Sequence, residues 1–460
     1  MGSLAERDRR NRRVLFASIV VVLAMAAVLV IVVTTQAARA GREDLRSATE
    51  PPRVTAAPTV RPVPEDAPIP TPQGIAAALG PAAANPNLGV FSGTVTDALT
   101  GQVLWSLNPQ TPVIPASTTK ILTAASALLS LPPDHRVATK VVQGATPGEI
   151  VLVAGGDPTL TAFPVGESGY YPGAAHISEL VDQIRAAGIQ ATRMVVDTSI
   201  YSGPAMAQGW YPADIGGGFI TPTEPIMIDG GRADPLVEDS PRSATPALDA
   251  GRVLAAALGM DPSSVSAGVA APDAAVIASV QSAPLRDRLQ QMMENSDNVL
   301  AEAIGREVAM NAGAEASFEG AVATIFQTLT AAGFDLSGLT LYDASGLSVD
   351  DRISPRLLDE MLTAAAGDGM PALRPMLDYL PVAGATGSLI DRYDSGTREG
   401  AGWVRAKTGT LDVASALAGY VVDQDERVLT FALMSTGSPP EASRPALDAL
   451  TATLRTCGCR

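Results

Sequence analysis

The sequence predicts an α+β protein, on three observations. Strand candidates lie near both ends of the chain with helical stretches between them, which suggests a sheet that joins the two ends. Between residues 139 and 272 short strands alternate with helices among many Gly and Pro, as in an inserted subdomain. An apolar run of 20 residues precedes the folded part, so one transmembrane helix is expected ahead of it. The 460 residues suggest several units rather than one.

In chain order, residues 1–13 carry Arg7, Arg9, Arg10, Arg12 and Arg13, and residues 14–33 (VLFASIVVVLAMAAVLVIVV) hold no charge, Pro or Gly. Twenty helical residues span about 30 Å, the hydrocarbon thickness of a bilayer. The positive-inside rule keeps the short tail in the cytoplasm and exports the rest. Ala38-Arg39-Ala40 resembles a signal cleavage site, so a secreted form is the alternative. The apolar run is long for a signal peptide, and an anchor is favoured. Residues 34–72 hold eight prolines and read as an extended spacer.

The folded part is expected as residues 73–138, an insertion at 139–272, and residues 273–460. An Ala-rich helix opens it near Gln73. Leu88–Thr96 and Gln102–Leu107 read as a hairpin, and Ser117–Leu129 as an apolar helix. Within the insertion, Glu149–Val153 and Met194–Val196 are strand candidates, and Ile177–Ala187 and Leu248–Leu258 helical ones. Helices are expected at Leu285–Met293, Val299–Val308 and Ala321–Ala332. Strands follow at Gly402–Thr408, Ala414–Val422 and Arg427–Ser435, then a last helix near Pro440–Arg455.

Composition narrows the chemistry. The net charge of −16 argues against nucleic-acid binding, which needs a concentrated basic surface. Two His (His135, His176) and two Cys (Cys457, Cys459) argue against a disulfide scaffold, a His/Cys metal site and a histidine-based triad. No cofactor or metal is expected. Of 32 cationic residues only Lys120, Lys140 and Lys407 are lysine. Arginine stays protonated in a protein, whereas a buried lysine can become a base, so each lysine is a candidate for chemistry.

Ser117-Thr118-Thr119-Lys120 is an S-x-x-K at the start of a helix, which puts Lys120 within reach of the Ser117 hydroxyl. A lysine held neutral can take the serine proton without any histidine. Ser296-Asp297-Asn298 lies between two helices, where a turn can aim polar side chains into a cleft. Lys407-Thr408-Gly409-Thr410 is placed at a strand end, with Lys407 as a fixed cation and Gly409 allowing close approach of a substrate. Each motif alone has an ordinary structural explanation as a cap or a turn. In the order S-x-x-K, S-D-N, K-T-G they form a joint signal, and two of the three lysines fall where lysine is required.

At these residues the chain resembles the penicillin-binding serine peptidases, specifically the D-alanyl-D-alanine carboxypeptidase/endopeptidase family with a large insertion after the nucleophile helix. Ala154-Gly155-Gly156-Asp157-Pro158-Thr159-Leu160, Ala278–Leu285, Asp343-Ala344-Ser345-Gly346-Leu347-Ser348 and Leu380-Pro381-Val382-Ala383-Gly384 extend the resemblance. The 179 residues from Ser117 to Ser296 set it apart from class A β-lactamases. The resemblance implies a penicillin-binding-protein/β-lactamase-like transpeptidase fold, an antiparallel sheet flanked by helices. It implies Ser117 as nucleophile, Lys120 as general base, and Ser296 and Asn298 as proton relay and substrate clamp. Lys407 would support Ser296, and Thr408 and Thr410 would bind the substrate carboxylate. The backbone N–H groups of Ser117 and Thr410 would form the oxyanion hole.

The implied partners are peptidoglycan peptides ending in D-Ala-D-Ala, with β-lactams as covalent inhibitors. A serine β-lactamase and a non-catalytic sensor or wall-binding protein are the alternatives. Of the glutamates between the last two motifs, Glu302 and Glu307 follow S-D-N, and none stands in the Glu-x-x-x-Asn context of a β-lactamase. Asp157 is expected to cap a turn rather than reach the cleft. Cys457-Gly458-Cys459 is expected as a frayed tail.

Overall fold

The structure, a computed structural model, describes residues 64, 66–167 and 169–460. The expected anchor at 14–33 and most of the spacer at 34–72 lie outside the described residues. Helix α1 (Pro72–Ala83) starts where Thr71 accepts a hydrogen bond from the Gly74 amide and Pro72 takes the first position, which has no helical partner to lose. It buries Ile75 and Leu79, one turn apart on one face. Strands β1 (Val90–Asp97) and β2 (Val103–Leu107) follow, then α2 (Lys120–Ser130).

Residues 138–281 build a second sheet. Its strands are β3 (Ala138–Gln143), β4 (Glu149–Val153), β6 (Arg193–Asp197), β8 (Val265–Ala267) and β9 (Val276–Gln281), in the order β8-β6-β4-β3-β9. The sheet is mixed: β3 pairs antiparallel with β4 and β9, while β4–β6 and β6–β8 are parallel. β5 (Asp157–Leu160) and β7 (Ile226–Ile228) form a small parallel pair beside it. Helices α3 (Ile177–Ala186) and α4 (Pro246–Leu258) cover the sheet with Leu180, Ile184, Leu254 and Ala255, all fully buried. β9 lies past residue 272, the bound expected for the insertion. It pairs with β3, and its alternate residues Ala278 and Val280 are buried in the core of that sheet.

The chain then runs through α5 (Leu285–Glu294), α6 (Asn298–Asn311), α7 (Phe318–Ala331) and α8 (Pro355–Ala366). It ends in β10 (Val404–Leu411), β11 (Ala414–Val422), β12 (Val428–Thr436) and α9 (Pro440–Arg455). The main sheet has the order β10-β11-β12-β1-β2, antiparallel throughout, so β1 and β12 join the two ends of the folded chain as expected. A buried pairing of Arg427 with Asp97, at 2.6 and 2.7 Å, pins the two strands at one end.

The two-residue period of the strands separates the sheet's faces. Leu417, Val421, Phe431 and Leu433 point to α1 and α9, while Ala416, Ala418, Ala432 and Met434 point to the helical layer of α2, α6 and α8. Alanines on that second face leave room for the S-x-x-K turn to come close.

Candidate active site

The S-x-x-K motif does not open an α-helix. Ala116–Thr119 form a 3-10 turn, and the α-helix begins at Lys120. In a 3-10 turn, residues three apart eclipse one another, so Lys120 lies directly in line with Ser117. Two glycines permit the turn. A Cβ on Gly346, whose φ is +80°, would meet the Ala116 carbonyl at 1.9 Å, and one on Gly409 would meet the Pro115 carbonyl at 2.5 Å. Ala116 itself takes φ +48°, a left-handed conformation that a non-glycine residue adopts at a cost. The segment is held under local strain between β10 and the loop that follows α7.

Lys120 is fully buried, and its Nζ lies 2.8 Å from Ser117 Oγ, 2.6 Å from Asn298 Oδ1 and 2.8 Å from the Ser345 carbonyl. Those are three partners for three ammonium hydrogens. Asn298 Nδ2 donates to the Phe219 carbonyl at 2.9 Å, which turns Oδ1 towards the lysine. A neutral amine has two hydrogens and one lone pair. Asn298 Oδ1 and the Ser345 carbonyl can only accept, so they retain the two hydrogens and leave the lone pair facing Ser117 Oγ. Burial pushes Lys120 down to about 8, while Asp343, Asp297 and Glu302 oppose that shift.

Ser296 sits at φ +59° between α5 and α6. Its Oγ accepts from Lys407 Nζ at 2.8 Å, and Lys407 also donates to the Thr408 carbonyl at 3.0 Å. The strand runs on to Leu411, paired with β11 throughout, so K-T-G lies inside β10 rather than at its end. Burial, and then the charge of Lys120, push Lys407 well below the ordinary lysine value. The expected fixed cation therefore stands in surroundings that oppose its charge. Asp297, the middle residue of S-D-N, caps α6 through the Leu300 amide and accepts from Tyr171 and Arg232 of the insertion at 2.7 and 3.3 Å.

Ser117, Ser296, Asn298, Thr408 and Thr410 line one cleft of about 890 Å³, across which stand Tyr170, Tyr211, Phe219 and Arg232 of the insertion. Lys120 and Lys407 lie beneath its floor. Every expected site residue is thus brought to one place. Asp157 is not among the lining residues, and its Oδ1 accepts from the Thr159 amide and hydroxyl at 2.8 and 2.6 Å, the turn-capping arrangement. Glu302 pairs with Arg306, and Glu307 with Arg288, all buried and outside the cleft lining.

Other participants have no role assigned from the sequence, although Ser345 lies in one of the segments that carry the resemblance. The Ser345 and Phe219 carbonyls act through backbone atoms, which residue identity does not reveal. The Ser388 hydroxyl lies 2.7 Å from that of Thr408 and also lines the cleft. Cys457 and Cys459 are paired, and the tail is not frayed: Cys457 is buried, and the Cys459 carbonyl accepts from the Thr71 amide at 2.7 Å.

The chain matches the D-Ala-D-Ala carboxypeptidase 3 (S13) family over residues 75–243 and 237–457. It is 52% identical over 416 residues to carboxypeptidase DacB of Mycolicibacterium smegmatis, covering 89% of this chain and 90% of that one. It is likewise 52% identical over 390 residues to a carboxypeptidase of Mycobacterium tuberculosis, covering 84% of each. In fold it is similar to penicillin binding protein 4 of Haemophilus influenzae, with a TM-score of 0.68 at 20% identity, over 84% of this chain and 98% of that one. With a serine, two lysines and an asparagine converging on one cleft, and with these matches along nearly the whole folded part, the chain belongs to the D-Ala-D-Ala carboxypeptidase 3 (S13) family.

Proposed function

We propose that this chain, a serine D-alanyl-D-alanine carboxypeptidase by family, trims peptidoglycan stem peptides through an acyl-enzyme on Ser117. Ser117 Oγ attacks the carbonyl of the penultimate D-Ala while Lys120 Nζ takes its proton. The backbone N–H groups of Ser117 and Thr410, both on the cleft wall, receive the developing oxyanion. The proton that Lys120 took returns to the leaving D-Ala nitrogen by way of the Ser296 hydroxyl, Asn298 holds the peptide backbone, and Thr408 and Thr410 take the terminal carboxylate. Water then releases the shortened peptide. The observation that carries this reading is the Lys120 amine, buried, with two acceptors fixed and its third position on Ser117.

The same site suits cleavage of D-Ala-centred cross-links, so endopeptidase action belongs to the proposal, as does covalent inhibition by β-lactams. We place the enzyme outside the cytoplasmic membrane, tethered by residues 14–33 and held off by the Pro-rich spacer. Among the described residues no helix is long and apolar enough to cross a membrane. A β-lactamase reading lacks its water-activating glutamate: none of the glutamates between S-D-N and K-T-G lines the cleft, and Glu302 and Glu307, the first two after S-D-N, are held in buried ion pairs. D-Ala release from a pentapeptide ending in D-Ala-D-Ala tests the proposal. Wild-type release that Ser117→Ala abolishes supports it, and release persisting in that variant overturns it.

A further inference from the structure

The Ser345 carbonyl is one of the two acceptors that orient the Lys120 amine, and a backbone carbonyl points only where its turn points. That turn is built around Asp343, a fully buried carboxylate in the loop between α7 and α8. Its Oδ1 accepts from the Ser345 and Gly346 amides at 3.1 and 2.6 Å, and its Oδ2 from the Ser348 amide at 2.7 Å. A fourth hydrogen bond comes from outside the loop. Trp210 Nε1, in the insertion, donates to Oδ2 at 2.7 Å. The indole is itself wedged edge-on against Phe318 of α7, with ring centres 5.1 Å apart.

We propose that Trp210 is a positioning residue for acyl transfer: its indole N–H anchors Asp343, and Asp343 holds the Ser345 carbonyl against the Lys120 amine. The insertion thereby reaches the base from beneath the cleft, apart from any contact its cleft wall makes with substrate. This inference rests on Lys120 being the base.

A purely structural tryptophan would affect stability alone, whereas a positioning one alters the titration of Lys120. The Ser345 carbonyl stabilises the ammonium more than the amine, so releasing it lets the proton leave at lower pH. Other charges about Lys120 stay in place. Glu302 and Asp297 attract its proton and are themselves paired with Arg306 and Arg232, while Lys407 repels it from β10. Asp343 faces Asp351 of its own loop, and Glu302 of α6, which burial and then Asp343 raise to about 7, accepts from the Ala344 amide of the same turn at 3.0 Å; both carboxyls remain in the variant, and Phe318→Leu controls for their response to disturbed packing.

The test is the pH dependence of penicillin acylation in the full chain. In Trp210→Phe, which keeps an aromatic ring against Phe318, the acidic limb should move down by roughly half a pH unit or more. The plateau rate should fall about three- to tenfold as the lone pair loses its aim. Phe318→Leu disturbs the same packing and leaves the N–H, so its limb should stay at the wild-type midpoint. If Trp210→Phe does not fold, 3-benzothienylalanine at position 210 replaces only the N–H by sulfur and should give the same shift. An unchanged midpoint in the variant that folds, or equal shifts in it and Phe318→Leu, overturns the proposal. A wild-type enzyme with no acidic limb overturns the base assignment on which it rests.

Discussion

Lys120 Nζ stands 2.8 Å from Ser117 Oγ, and the lysine's two other contacts are oxygens that can only accept. The pair is therefore poised in one direction. When the ammonium loses a proton, the vacated position is the one that faces the serine.

Lys120→Arg should abolish acylation although it preserves charge, because a guanidinium does not become neutral to accept the serine proton. General-base assistance contributes about 10²- to 10⁴-fold, and a loss of that size is expected in the rate of labelling by fluorescent penicillin. Labelling near the wild-type rate would contradict the role given to Lys120. Lys407→Arg should be milder, since that position has to donate to Ser296 but not to take a proton.

Burial holds Lys120 at about 8, below the ordinary lysine value. Below that pH the group is an ammonium and cannot act as base, so the acylation rate should rise as pH passes through it. Asn298→Asp would set a carboxylate where Oδ1 now lies 2.6 Å from Nζ. An adjacent opposite charge favours the ammonium by about one to three pKa units. The acidic limb of acylation should move upward by that amount, opposite to the shift expected for Trp210→Phe. A stopped-flow pH series with a chromogenic cephalosporin measures both, and an unmoved limb in Asn298→Asp would count against the lysine as the titrating group.

The three motifs were legible in the sequence because the chemistry demands particular side chains: a hydroxyl, an amine three residues on, and a second lysine on a strand. The main sheet was legible for a related reason, since Ala414–Val422 and Val428–Thr436 alternate around two buried faces. What stayed hidden depends on contacts distant in sequence. The 3-10 turn at Ser117 exists because Gly346 and Gly409 press against it, from positions more than two hundred residues away. Trp210 and Phe219 look like ordinary insertion residues until the fold sets one against Asp343 and the other against Asn298. The tail was misread because two cysteines separated by one glycine say nothing of the Thr71 amide that fastens them.

A penicilloyl group on Ser117 should persist for minutes or longer. Glu302 and Glu307 are tied to Arg306 and Arg288 in buried pairs outside the cleft lining, which leaves neither to activate water at a bulky ester. The small natural acyl group leaves space for water and should turn over. Intact-mass measurement after a stoichiometric pulse of penicillin reads the lifetime. Return of the free-enzyme mass within seconds would indicate a β-lactamase.

Replacing Cys457 and Cys459 by serine should lower the unfolding free energy by about 1–2 kcal/mol, because the buried Cys457 packs in the layer of α1 and α9. D-Ala release should stay within about twofold of wild type, since the tail lies outside the cleft-lining set. Thermal melting and a D-Ala assay on the same preparation separate the two effects, and a large loss of activity without a stability change would contradict this placement.

A single serine, Ser117, is expected to carry both penicillin and the natural acyl group. Titrating the protein with penicillin, mapping the adduct by peptide mass spectrometry and assaying D-Ala release at each point tests it most directly. One adduct is expected, on Ser117, with D-Ala release falling in strict proportion to its occupancy. Full acylation with release intact, or an adduct on any other residue, would contradict it.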